Sequence, residues 1–212
     1  MPETLTKEEV QKGQDPSVTK QWDNDTPVEQ RFKDFYDIAD GLKIGIMGTY
    51  RNGVGPVGRA MAVAKRSGPD FLFLANANSQ KFNDIEKNGV TNIYFHNHSN
   101  QDWISITGKT TTSNNEDPRI KEIWSNGTRA WFGDLGDGTH TGGPEDPRMK
   151  IIEVQPSYIS YWKHEVGALG FMKEVGGAAL TGGVANTGKL RQMTEQEITE
   201  ARKRDAHLTS KA

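Results

Sequence analysis

Residues 70–88, "DFLFLANANSQKFNDIEKN", decide how this chain is read. The run 71–76 is short and wholly apolar up to its last residue, which makes it a buried strand. Behind it Asn78 or Ser79 can cap a helix whose first turn of periodicity is Phe82 and Ile85. Lys81 then falls in the first turn of that helix. The helix macrodipole presents partial positive charge there and disfavours a cation. The conflict resolves if an anion sits between them: the Ser79 hydroxyl, the first-turn N–H groups and the Lys81 ammonium would converge on a phosphate. The alternative is a solvated lysine on a surface helix. Arg59 opens the strand before this one, and pairing of the two would bring a second cation to the same place.

Outward from this point the chain alternates strands and turns. The spacing of Val28, Phe32, Phe35 or Tyr36, and Ile38 or Ala39 predicts an amphipathic helix over 28–40, stopped by Gly41. Leu42, Ile44, Ile46 and Gly48 share one face of a strand over 42–50. Residues 51–58 are turn chemistry with an Asn-Gly pair, and 59–66 form the next strand. Beyond the helix, 89–97 and 102–113 are strands joined by a polar turn. A short helix over 117–127 has Pro118 near its first position. A Gly/Asp-rich loop fills 133–147, and 149–162 is a strand, a break at Pro156 and a second strand. The remainder is Gly-rich, with a terminal helix in "TEQEITEARKRD". Sequential antiparallel strands with inserted helices point to a mainly β protein closed into a six-stranded barrel, not a doubly wound parallel sheet. The organisation expected is a solvated extension over 1–28, a barrel domain over 29–165, and a Gly-rich extension with a terminal helix over 166–212.

Composition limits the function classes. The 212 residues suffice for one domain with extensions, and the hydrophobic share of 33% calls for a compact core. The formal net charge of −2 leaves no basic face for nucleic acid. With no cysteine, thiolate ligands, disulfides and cysteine nucleophiles are excluded. "MPETLTKEEV" has no apolar core of a signal peptide, and no run approaches the ~18 apolar residues of a membrane span. The cytosol is therefore the expected compartment. The Asn24, Asn97 and Asn126 sequons and the terminal "SKA" are read as accidental.

Other constellations are weaker. Trp103 starts a strand and Trp131 follows a short helix, so a planar ligand could stack on either indole; Trp124, near Ile120 and Ile123, reads as core. His96 and His98 share a strand face, but no third or fourth ligand matches them, and they read as a polar turn with no metal. Asp134, Asp137, Glu145 and Asp146 do not follow a calcium-loop spacing and read as a solvated loop. There is no G-x-S-x-G elbow, no P-loop and no dinucleotide fingerprint.

The order of the pieces, "GRAM", "DFLFLANANSQKFNDIEKN", "VTNIYFHN", "DWISITGKTTT" and "DPRIKEIWSNGTRAWF", resembles the pyridoxamine phosphate oxidase-like, FMN-binding split-barrel family. Within it the chain is similar to general stress proteins and, in its tail and length, to blue-light-induced proteins of filamentous fungi. The resemblance implies a six-stranded split barrel, a homodimer and a flavin, FMN or alternatively FAD, in a cleft between subunits. It implies that Arg59, Ala60 and Met61 line the isoalloxazine, that Ala75 and Asn76 contact the ring or ribityl chain, and that Ser79 and Lys81 are the Ser-x-Lys phosphate anchor. Trp103 and Trp131 would lie near the flavin from one subunit or the other. Gln80 replaces the Arg that genuine pyridoxamine phosphate oxidases carry between that Ser and Lys, and the tail lacks their Arg-x-His segment in register. That substrate is therefore not expected. A flavin-dependent oxidoreductase, a non-enzymatic flavin-binding protein and a scaffold without flavin remain the alternatives, and no catalytic residue is assigned.

Overall fold

The computed structural model describes residues 15–23 and 25–208. The "MPETLTKEEV" segment, Asn24 and the terminal "SKA" lie outside them. After a short helix α1 (Pro16–Thr19), helix α2 (Val28–Leu42) lays Phe32, Phe35 and Ala39 into the core. It runs through Gly41, the expected stop, and ends at Lys43, whose left-handed φ of 59° closes the cap. The Lys43 carbonyl then accepts the Val63 N–H at 2.8 Å, so a tertiary contact sets this helix end.

Eight strands follow: β1 (Ile44–Arg51), β2 (Gly55–Ala62), β3 (Lys65–Ser67), β4 (Asp70–Asn76), β5 (Val90–His96), β6 (Trp103–Thr112), β7 (Met149–His164) and β8 (Gly188–Met193). They form one antiparallel sheet in the order β2-β1-β5-β6-β7-β4-β3, with β8 added to β7. This corrects the count of six and the closed barrel, because no pairing joins β2 to β3 among the described residues. The sheet nevertheless curls around its core. Phe71 of β4 and Phe95 of β5, on strands that are not neighbours, bring their rings to 5.7 Å.

Three local findings differ from the sequence pattern. On β1 the buried residues are Gly45, Met47 and Thr49, whereas Ile44 and Ile46 are 58% and 47% exposed. The reason is the Phe95 ring, which lies so close to Gly45 that a Cβ there would meet it at 2.9 Å. Only glycine admits that approach, so the glycine face turns inward. The strand 59–66 is divided into β2 and β3, and β2 starts as early as Gly55. Finally, Pro156 does not end its strand. β7 continues through it because the register with β6 shifts between Thr107 and Gly108, a bulge that absorbs the missing N–H. Gly108 has no room for a side chain there: a Cβ would stand 2.4 Å from the Gln155 carbonyl oxygen.

Helices α3 (Lys81–Lys87), α4 (Arg119–Ile123), α5 (Asn126–Phe132), α6 (Ala168–Thr181) and α7 (Glu195–Asp205) complete the fold. α7 begins with a Thr194–Glu197 capping box and buries Ile198 and Ala201 in the main core. The N-terminal lead-in, expected to be solvated, is fastened to β8 from Lys20 onward: the Lys20 carbonyl accepts from Lys189 Nζ at 2.9 Å, Trp22 bridges in parallel to Leu190, and Asp23 accepts from Arg191 Nε at 2.7 Å. No helix among the described residues is long and apolar enough to cross a membrane.

Candidate functional site

α3 packs on the β1–β2 hairpin, and one carboxylate joins them. Asp84, buried on the inner side of α3, accepts from Thr49 Oγ1 at 3.0 Å and from Arg51 Nε and Nη2 at 3.2 and 3.1 Å. Arg59 Nη2 reaches the same carboxylate at 3.4 Å, but its shorter bond is from Nη1 to Thr49 Oγ1, at 2.7 Å. The hydrogen bonds from Arg51, reinforced by Thr49, hold Asp84 below the usual carboxylate range.

Lys81 stands beside this cluster. Its Nζ donates to Ser79 Oγ at 2.8 Å, and Ser79 Oγ donates to the Asn76 carbonyl at 2.6 Å. The hydroxyl is thereby engaged, and Ser79 does not cap the helix. The cap position is Gln80, with no side-chain cap bond. Lys81 is half-buried and makes no ion pair among the described residues. Burial first, and then the Arg59 guanidinium, push its ammonium below the ordinary lysine value. Arg59 is itself lowered by burial and by Arg51. Arg51 and Arg59 thus share the Asp84 carboxylate, and Lys81 adds a third cation near Arg59 without a carboxylate partner among the described residues. A partly desolvated surplus of positive charge is what an anion such as a phosphate monoester would neutralise.

Of the residues singled out in the sequence, the structure links Asn76, Ser79 and Lys81 by hydrogen bonds and sets Arg59, which reaches Asp84, near the Lys81 ammonium. Met61 lies on the same face of β2 as Arg59 and packs on the core, and Ala75 is buried at the end of β4. Ala60 points to the other face, opposite Ile46. Trp103 is also on that outer face, stacked on Tyr94 at 6.2 Å between ring centres. Trp131, on α5, is 87% exposed. Within one chain, therefore, neither Trp103 nor Trp131 joins the cation cluster. Thr49, Arg51 and Asp84 were not singled out. The usable signal was Asp84 itself, an acidic residue one position before the core residue Ile85 and three after Lys81, which needs a cation if buried.

The remaining candidates have ordinary roles. Trp124 is half-buried against Ile120 and Ile123 and donates from Nε1 to the Gly142 carbonyl at 3.1 Å. The rings of His96 and His98 meet edge-on at 4.6 Å, and no group of three or more ligating side chains gathers among the described residues. In the acidic loop Asp134, Asp137 and Glu145 are exposed, but Asp146 is fully buried. It receives Arg148 Nη2 at 2.6 Å and the Gly142 N–H at 2.8 Å, and the Arg148 bond holds its pKa down at about 2.

Known proteins resemble this chain in sequence and in fold. A chain from Neurospora crassa, Protein bli-3, is 33% identical over 187 residues, covering 87% of this chain and 89% of its own. A structure from Jannaschia sp. CCS1, provisionally named general stress protein 26, shares the fold at a TM-score of 0.61 and 18% identity, over 78% of this chain and 99% of that one. A pyridoxamine 5'-phosphate oxidase-related, FMN-binding protein from Nostoc punctiforme does so at 0.50 and 10% identity, over 68% and 93%. The sequence profile of the pyridoxamine 5'-phosphate oxidase-like proteins matches residues 30–186, and with the curled antiparallel sheet this makes the chain a member of that family.

Proposed function

We propose that the chain is a flavin-binding protein that holds FMN by its phosphate at Arg59, Ser79 and Lys81. The observation that carries this reading is the half-buried Lys81 ammonium, with Arg59 beside it and no carboxylate of its own. The phosphate is the anion that the first turn of α3 asked for. Arg51 and Asp84 would form the wall behind it, Asp84 fixing both guanidinium groups while neutralising only one. FAD is the alternative ligand of the same site.

The isoalloxazine would lie along β2, an edge strand whose outer backbone groups have no strand partner among the described residues. Arg59, Ala60 and Met61 would offer those groups, and Ala75 and Asn76 would flank the ring or the ribityl chain. Trp103 lies on the outer sheet face and Trp131 is exposed on α5, so both would reach a flavin from a second copy. This supports a homodimer with the flavin between subunits. The exposed outer face of β1 and β5, with Ile44, Ile46 and Tyr94, is the surface such a dimer would cover.

When bound, the flavin would supply the redox chemistry, and the protein would bind, orient and shield it. An oxidoreductase is the enzymatic form of this reading. Flavin binding without turnover is the other, and both fit a stress- or light-response role in the cytosol. Titration with FMN is the test. Saturable quenching of flavin or tryptophan fluorescence at one site per chain is expected, and no saturation at high micromolar FMN would overturn the reading. Bleaching of the bound flavin by NAD(P)H would then separate the enzyme from the binding protein.

A further inference from the structure

Helix α6 has its polarity inside out. Its sequence, ALGFMKEVGGAALT, carries only Lys173 and Glu174 as charges. Glu174 is buried and accepts the Asn186 N–H at 3.3 Å. Leu169, Met172 and Leu180, by contrast, are 79, 71 and 90% exposed, and Phe171 and Val175 are 41 and 42% exposed. A surface helix of a globular protein shows the reverse, with its apolar stripe inward. The helix also contains Gly176 and Gly177, each unfavourable by about 1 kcal/mol relative to alanine. Propensity and burial against the described residues therefore do not account for a helix of 14 residues.

The exposed stripe continues onto the sheet. The Phe171 ring lies 6.1 Å from the ring of His164 at the end of β7. Two residues earlier on the same face, Trp162 pairs with Trp103, Trp103 stacks on Tyr94, and Tyr94 lies opposite Ile46. α6 presents on the order of 500 Å² of apolar surface, and Ile44, Ile46 and Tyr94 raise this to roughly the 800 Å² per partner that a standard interface buries. A lipid surface would call for a basic rim, and Lys173 is the one cation on the helix. A second copy offers the same uncharged stripe, which a two-fold contact requires to be self-complementary.

We propose that α6 of one copy lies across the outer sheet face of a second copy, and that the partner returns the contact, so that the two helices clasp the dimer. This rests on the two-copy reading above and adds the element that holds the copies together. The chain has no cysteine, so a single introduced thiol reports cleanly. Sedimentation of the full chain should show a dimer at micromolar concentration, and Leu169→Glu with Met172→Glu should weaken its dissociation constant at least 100-fold. In a separate Met172→Cys variant, a mild change that keeps the fold, thiol labelling should slow at least tenfold as protein concentration rises through the dimer range. A monomer at all concentrations would overturn the dimer and the clasp together. A dimer unaffected by the double variant, with the thiol equally reactive at every concentration, would overturn the clasp and leave the dimer standing. A monomer that pellets with phosphatidylserine vesicles would overturn the proposal in favour of a lipid surface.

Discussion

Two clusters of buried charge in this protein differ in their balance. Around β8, Arg191 is met by Asp23 at 2.7 Å, Glu165 at 2.8 Å and Asp34 at 3.1 Å, and Asp34 also pairs with Lys163. Carboxylates there outnumber cations, and every cation is engaged. Around α3 the proportion is reversed, with Arg51, Arg59 and Lys81 against Asp84 alone. Burying a charge is unfavourable unless it is compensated. The first cluster is complete within the chain and fastens the N-terminal lead-in, α2 and β8 together. The second carries more cations than carboxylates among the described residues, and that surplus, not the presence of charge, is what the proposed phosphate site rests on.

The comparison breaks most visibly at the balanced cluster. Arg191→Ala would strand Asp23 and the buried Asp34 carboxylate with fewer partners, and should destabilise the fold by about 3–5 kcal/mol. Urea unfolding measures this, and the FMN affinity of the folded fraction should be unchanged. A large loss of FMN affinity without loss of stability would reverse the roles of the two clusters.

A second balanced pair, Asp146 with Arg148, gives a pH signature. Asp146 falls from an ordinary value of 3.8 to about 2 in the folded protein. A carboxylate with a depressed folded value contributes stability that is complete above pH 4 and disappears as pH falls through 2. The shift corresponds to about 2 kcal/mol. The difference in urea midpoint between the wild type and Asp146→Asn should therefore be full at pH 5 and shrink steadily toward pH 2. A pH-independent difference would show that the pair is not ionic.

At the unbalanced cluster the signs should separate. Asp84→Asn removes the one carboxylate that pairs with this cluster among the described residues, so the apo-protein should lose about 1–2 kcal/mol, a value reduced because Arg51 is partly solvated. FMN should bind more tightly at the same time, because the surplus of positive charge has grown. Stability and affinity falling together would mean that Asp84 shapes the pocket rather than setting its charge.

The parts of this account that were legible in the sequence are those carried by local pattern. The apolar run of β4 and the Ser79–Lys81 spacing placed a lysine in a first helical turn, and Arg59 does come near it, but not by the expected strand pairing: β2, which holds Arg59, pairs with β1, while β4 pairs with β3 and β7. Alternation identified β1 as a strand, but period two does not say which face is buried, and the choice was made by the long-range approach of Phe95 to Gly45. Pro156 read as a break because the compensating bulge is supplied by another strand, at Gly108. Asp84 and Arg51 were missed for the same reason: their pairing spans 33 residues and appears only when α3 rests on the hairpin. Trp103 and Trp131 carry no signal for the direction in which they point.

The central claim is that the surplus charge at Lys81 waits for a flavin phosphate. Its most direct test is Lys81→Ala, titrated with FMN and with riboflavin, which lacks the phosphate. Losing a charge-assisted hydrogen bond should weaken FMN by roughly 1.5–3 kcal/mol, about 10- to 150-fold. The apo-protein should melt as before or slightly higher, because the first turn of a helix does not favour a cation. Riboflavin affinity should hardly change. Equal weakening of both ligands, or no change in either, would contradict the claim.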